Sequence, residues 1–407
     1  MQIGFVNFNR EEKKRISKMM QLLQESEAIE ELGIGRVRDY FSNTLFPGTS
    51  TLQHHAKYFA ILPSLYYYAA HHGKYSSVHD VEKYIIEAEI QITRQLAEHE
   101  GQREMTGITG INTYVDALRN YKKYVKYTPT YIYGSGMATY GMIPNTSIYQ
   151  LIFEISKSES ESPHNKRWLK GEDLTEDAQN EMTGEKQLIV CSGEEYDFFN
   201  GISMSMSMSP IEAEFVKKKI LESPRCMDSL LSFLLEANRI ILPEHYYDLG
   251  QQLNGLCAGA KDVYDKSVLF SKLIYLIDWS FNHAYYASFG QEELSNCCRI
   301  AFEELYQIHE RVLEDYDSYH SLFEHIKNID PLLTEFGENC YKALHGRGRG
   351  SLRELDDLVI SREQTVKRER SKIGNDGYRN IKRMDPACNT FRWSSVRTIV
   401  NEIRNPQ

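Results

Sequence analysis

Residue types that can do chemistry gather first in FPGTSTLQHH, residues 46–55: a Pro-Gly corner, three hydroxyls and two histidines. Free backbone N–H groups at a helix start, joined by hydroxyls, can hold an anion. Ser50 followed by Gln53 has the S-x-x-Q form of a capping box, and Leu52, Ala56, Phe59 and Ala60 then trace one apolar face, so the spacing predicts a helix beginning at Ser50. A nucleotide loop would need Gly-Lys-Ser/Thr four residues on from its first glycine, and none follows. The chemistry expected here is docking of a nucleic-acid phosphate, with Thr49 and Ser50 at the helix start and His54 and Lys57 on its solvent side; the competing reading is a plain cap. His54 and His55 are adjacent, as are His71 and His72. Neighbouring rings on a helix diverge by about 100°, so neither pair chelates, and no metal or cofactor is expected.

HGKYSSVHD, residues 72–80, is comparable with the H-x-K-x4-D signature of phospholipase D-type phosphodiesterases. In that signature the histidine attacks phosphorus and the lysine holds phosphate oxygens. His72 and Lys74 fit; Asp80 comes one residue late, and no second copy completes a paired site. His72 and Lys74 are therefore weak catalytic candidates, and a serine-capped helix start is the simpler reading. A magnesium nuclease would need Asp followed by Glu-x-Lys on adjacent strands. EFVKKK at 214–219 and EAE at 87–89 sit in helical patterns instead and are expected on solvated faces. No GxSxG occurs, and GSGMATYG at 134–141 is expected as a turn between helices rather than a dinucleotide loop.

The C-terminal segment carries the clearest charge signal. Between Ala343 and Gln407 stand 14 Lys and Arg against 8 Asp and Glu, whereas the whole chain has a net charge of -10. Most of the surface therefore repels nucleic acid, and a local basic patch would have to bind it. Arg347 and Arg349 lie among glycines in a basic loop, and a helix follows from about Ser351, with Leu352, Val359, Val366 and Ile373 at seven-residue spacing. Arg362, Lys367, Arg368, Arg370 and Lys372 are expected along it as phosphate contacts, with Glu363 and Glu369 offsetting part of the charge. A merely solvated charged helix is the alternative.

The elements that must position these groups are mainly helical. IGFVNFN at 3–9 and LIVCS at 188–192 suit short strands; Asn9 suits an N-cap for a first helix, and Val37, Tyr40, Phe41 and Leu45 trace another. The apolar run from Leu52 to Ala70 predicts a long buried helix, bent or interrupted at Pro63. Helices follow from Ser76 to Gly101, at 113–125 and near 131–140. Met204, Met206 and Met208 alternate with serines, which suits an extended segment with one face on the core; Ser209, Pro210 and Glu212 then supply an N-cap, Pro at N1 and Glu at N3. The organisation expected is an N-terminal helical domain at 1–155, a polar linker or insertion at 156–187, a second helical domain at 188–345 and a basic helical segment at 346–407.

At 407 residues, 41% hydrophobic and 26% charged, the chain exceeds one ordinary core. No apolar run approaches a membrane span, and no secretory leader precedes the first helix pattern. The 7 cysteines are scattered without a CxxC pair, as reduced thiols are. A cytoplasmic protein with no membrane contact is expected.

ELGIGRVRDYFSNTLFPGTSTLQHHAKYFAILP, followed in order by SPIEAEFVKKKILES, SLLSFLLEA, SREQTVKRERSKI and FRWSSVRTIVNEI, resembles the bacterial family DUF6361 from Ile3 to the C-terminus. After FPGTST the family has an Arg-rich T-R-A-R-Y-F where this chain has His54, His55, Ala56 and Lys57, which implies weaker phosphate binding there if those arginines hold phosphate. The resemblance implies an accessory subunit of an antiviral defence locus, encoded beside a helicase and a phospholipase D-like nuclease, and carries no catalytic residues. The expectation is a subunit that binds DNA or such a partner. A phosphodiester-cleaving enzyme and a purely structural bridge are the alternatives.

Overall fold

The structure, a computed structural model, describes residues 32–100, 107–111, 125–161, 189–199, 204–345, 352–381, 383 and 385–407. These residues are mainly helical, and among them no strand occurs. The strand expected at 188–192 is absent from the part described: residues 189–192 are irregular, tied by a hydrogen bond from Val190 N–H to the Met142 carbonyl. The strand expected at 3–9, the Asn9 cap and the helix expected at 113–125 fall wholly or largely outside the described residues, as does most of the polar stretch after 161.

The chain divides into two compact units. Among the described residues, one comprises those within 46–242 and 392–407; the other comprises those within 32–45 and 243–391. In the first unit α2 (Tyr58–His72) is the central element, buried along most of its length, because YFAILPSLYYYAA is apolar all round. It runs through Pro63 without interruption. Around it pack α3 (Val78–Glu100), α4 (Pro129–Thr139), α5 (Ile148–Glu161) and α6 (Pro210–Glu222). The capping box at Ser209 forms in both halves: Glu212 N–H donates to Ser209 Oγ, and Ser209 N–H donates to Glu212 Oε2. Met204, Met206 and Met208 are buried while Ser205 and Ser207 are half-buried, which is the one-faced packing that the alternation predicts. The short α7 (Leu230–Glu236) and α13 (Trp393–Arg404) complete this unit. Arg404 reaches from α13 to the carbonyls of Leu234, Ala237 and Ile240, tying α13 to the last turn of α7 and to the residues that follow it.

The second unit is organised on α8 (Ala258–Ser288), whose VLFSKLIYLIDWSF core packs on α9 (Glu292–Leu313), on α1 (Gly35–Leu45) and on α12 (Leu352–Lys367). Two shorter helices, α10 (Tyr316–Lys327) and α11 (Pro331–His345), pair with each other, and α11 also packs on α12. Leu355 and Val359 are the buried apolar residues of α12. No described helix is long and apolar enough to cross a membrane.

Candidate nucleic-acid interface

FPGTSTLQHH does not open a helix. Residues 51–57 form turns and irregular backbone, and α2 starts at Tyr58 with no side-chain cap from Lys57. The local half of the capping box is nevertheless present, since Ser50 N–H donates to Gln53 Oε1 at 3.0 Å. Gln53 is fully buried, and its amide nitrogen donates to the carbonyls of Gly48 and Ile132. The glutamine is held by distant backbone as well as by its own turn, and the helical turn that sequence spacing suggests is replaced by a core-packed corner. Thr49 is buried with its hydroxyl donating to the Phe46 carbonyl at 2.7 Å, while its own carbonyl accepts from Arg392. Gly48 takes φ +77, and a Cβ there would meet the Tyr140 ring at 2.5 Å. Its carbonyl lies 2.5 Å from the place a Cβ of Gly136 would take; residues 134–139 of GSGMATYG belong to α4, which packs closely at Gly136, and Tyr140 and Gly141 form a turn at its end, Gly141 at φ +67.

Of the two residues expected on the solvent side here, only His54 is exposed. Partial burial, and then the adjacent His55, hold its ring below the usual imidazole pKa, so it carries little charge at neutral pH. Lys57 is buried; its Nζ lies 2.6 Å from Glu212 Oε2 and donates to the Ser207 carbonyl at 2.9 Å. An ammonium enclosed this way pairs with the acid of the α6 cap, where sequence reasoning expected phosphate. His55 Nδ1 lies 2.6 Å from Glu402 Oε1, and Ala56 N–H donates to the other oxygen of that carboxylate.

The basic C-terminal residues divide into three groups. Arg347 and Arg349 lie outside the described residues. Arg362 is half-buried on α12: Nε donates to the Leu32 carbonyl at 3.0 Å, Nη1 to Leu332, and the guanidinium lies over the Phe336 ring. Lys367, Arg368, Arg370 and Lys372 do not continue a helix to residue 372. α12 ends at Lys367, Arg368 adopts φ 52, and a 3-10 turn covers Arg368–Arg370.

The reason is Glu363. It is fully buried and accepts from Ser371 Oγ at 2.6 Å, from Lys372 N–H at 2.7 Å and from Ile373 N–H at 3.1 Å. Those donors fold the chain back onto the last turn of α12, where continued helix would carry them away from it. Glu363 thus offsets no surface charge and organises the turn instead. Arg368 and Arg370 point into solvent, with no ion pair among the described residues, while Lys372 lies 5.8 Å above the Tyr378 ring.

His72 and Lys74 are exposed just where α2 ends. The His72 ring stacks on Tyr68, and its Nδ1 lies 3.2 Å from the Tyr68 carbonyl. Asp80 belongs to the first turn of α3, its N–H donating to Ser77 Oγ as a capped helix start requires. Among the described residues no group of three or more His, Cys, Asp or Glu is arranged to hold a metal ion. EAE at 87–89 departs from the solvated face expected of it, because Glu89 is fully buried.

A family model described as a family of unknown function, DUF6361, matches residues 1–218, more than half of the chain. The chain belongs to this family. The DUF6361 match takes in the FPGTST corner, Lys57 and most of α6, including Glu212. SLLSFLLEA, SREQTVKRERSKI and FRWSSVRTIVNEI lie beyond it, and so does the basic turn. No curated protein and no solved structure matches the chain.

Two features of this DUF6361 protein escaped sequence reasoning. Glu363 reads as one more surface charge in a basic run, and only its burial sets it apart. The rings of Tyr67 and Tyr68, each 40% exposed, had a readable signal: both are followed at i+4 by a histidine in YYYAAHHG.

Proposed function

We propose that the protein is an accessory subunit of an antiviral defence assembly, binding nucleic acid beside a helicase or phospholipase D-like nuclease. The defence role and the partners come from the family resemblance. The nucleic-acid half is carried by one observation: Arg368 and Arg370 are exposed, without ion pairs among the described residues, on a turn that buried Glu363 holds in place. The ordered turn fixes the backbone from which the two guanidinium groups extend, and each phosphate contact they make releases counterions. Lys367 and Lys372 flank them and extend the same charge.

Fluorescence anisotropy of a labelled DNA across a KCl series tests this reading. Affinity is expected to fall steeply with salt, and Arg368→Glu/Arg370→Glu to weaken binding while flattening the log–log slope by about 2. A double variant that binds as the wild type does would remove the turn as the footprint. Affinity capture together with the neighbouring gene products, before and after nuclease treatment, tests the partner half; recovery of the protein alone counts against it.

A further inference from the structure

A groove of about 640 Å³ lies between α13 and the stretch that follows α7, all within the first unit. Arg397 and Asn401, at i and i+4, stand on its α13 wall, and Asn238, Ile241 and Leu242 stand on the other. Arg404 ties the two walls together, its guanidinium committed to the carbonyls of Leu234, Ala237 and Ile240. Asn405 Nδ2 donates to Asn401 Oδ1 at 3.0 Å, which orders the Asn401 amide and leaves its nitrogen without an acceptor among the described residues. Arg397 is exposed with no ion pair among the described residues, and Ile241 is 79% exposed. The ionisable side chains of the lining are both arginines, in a chain whose net charge is -10. Glu402 on the same helix is turned away, to His55 and the Ala56 N–H, and Arg239 offsets the exposed Glu236.

We infer that this groove holds an acidic peptide segment of a protein partner, one with an aliphatic residue beside its Asp or Glu. The inference goes beyond the nucleic-acid reading and does not depend on the basic turn. A carboxylate meets a guanidinium through two parallel hydrogen bonds, and the Arg397 fork has no competing acceptor among the described residues. An asparagine side chain carries an acceptor and donors, the complement of a peptide group, so Asn238 and Asn401 suit main chain laid between the walls. Ile241 and Leu242 supply the apolar surface that the neighbouring aliphatic side chain covers. Nucleic acid fits less well. No aromatic ring lines the groove for a base to stack on. With Arg404 committed to carbonyls, Arg397 alone is too little charge to follow a phosphate backbone.

The test probes the full chain with an array of end-blocked octapeptides in which one Asp or Glu stands beside Leu, Ile or Val, each paired with a copy carrying Asn or Gln for the acid. Acid-bearing peptides are expected to be retained over their amide copies. The strongest of them, labelled, is then titrated by anisotropy against the wild type, Arg397→Glu, Ile241→Ser and Arg225→Glu. Arg397→Glu is expected to weaken binding by about ten-fold or more, and Ile241→Ser by about three-fold or more with its salt dependence unchanged. Arg225 is exposed in the same unit but outside the groove, so Arg225→Glu makes the same charge change elsewhere and is expected to bind as the wild type does. Arg397 and Ile241 are both exposed, so neither change removes a core contact. Acid peptides retained no better than their amide copies overturn the proposal, and so does equal weakening by Arg225→Glu. Oligo(dT) binding that Arg397→Glu abolishes, with no acidic peptide retained, would overturn it in favour of nucleic acid.

Discussion

Lys57 Nζ and Glu212 Oε2 lie 2.6 Å apart with both side chains buried, joining the approach to α2 to the N-terminal cap of α6. The pair is fully committed: Glu212 also accepts from Ser209 N–H and from the Tyr196 hydroxyl, and Lys57 also donates to the Ser207 carbonyl. Removing one member leaves the other charged and desolvated. Lys57→Ala is expected to cost about 3–5 kcal/mol, whereas Lys57→Met/Glu212→Gln costs less because no charge remains unpaired. Urea denaturation of the three proteins measures this; a double variant no more stable than Lys57→Ala would deny the coupling.

Glu89 predicts a pH dependence. Its Oε1 accepts from Thr130 N–H at 2.6 Å, and Oε2 is buried with no hydrogen-bond partner. Burial, opposed in part by the bond from Thr130, pushes the carboxyl up from 4.5 to about 7. A folded pKa above the unfolded one gives stability that is fully present below pH 4.5 and is lost as pH rises towards 7. The loss is on the order of 3 kcal/mol, with no further change above that window. Glu89→Gln has no such proton to lose. The stability difference between wild type and variant, from urea midpoints at pH 5 and pH 8, is expected to shift in the variant's favour at pH 8, and a constant difference would refute this.

Glu363→Ala is expected to release the basic turn without unfolding the second unit. The amides of Lys372 and Ile373 lose their acceptor, and so does the Ser371 hydroxyl. Hydrogen exchange at those two amides should speed up by at least about ten-fold, an opening cost near 1.4 kcal/mol, while the amides of α8 keep their protection. Equal acceleration across α8 would mean that the residue supports the whole unit.

Gly48→Ala combines two penalties: a left-handed backbone at φ +77 and a Cβ 2.5 Å from the Tyr140 ring, whose hydroxyl donates to the Pro47 carbonyl. The strain alone costs about 1–2 kcal/mol, and the displaced ring adds to it. Thermal melting should show a drop of several degrees. Tyr140→Leu/Gly48→Ala is expected to recover only part of it, because the backbone term remains.

How far the residues could be read without coordinates follows from the range of the interactions involved. Ser209-Pro210-Ile211-Glu212 and Ser50-Thr51-Leu52-Gln53 carry the same box, and only the first starts a helix. Its bonds are closed within four residues and Pro210 presets the first turn, so local chemistry suffices. Gln53 also serves the carbonyl of Ile132, which no spacing around residue 50 reveals. The buried methionine row, the predominantly helical composition and the apolar faces of α1 and α13 likewise follow from periodicity, because a stripe of side chains must leave water wherever its partner lies. Tertiary structure alone decided the fate of charge. Lys57 and Glu89 are hydrophilic in any sequence pattern, yet partners and walls supplied from distant segments enclose both. Glu363 is buried likewise, and the helix that should have carried the basic residues stops at Lys367 because that carboxylate captures the amides beyond it. Periodicity reports which side chains avoid water, and it is silent about which polar groups have found a better partner than water.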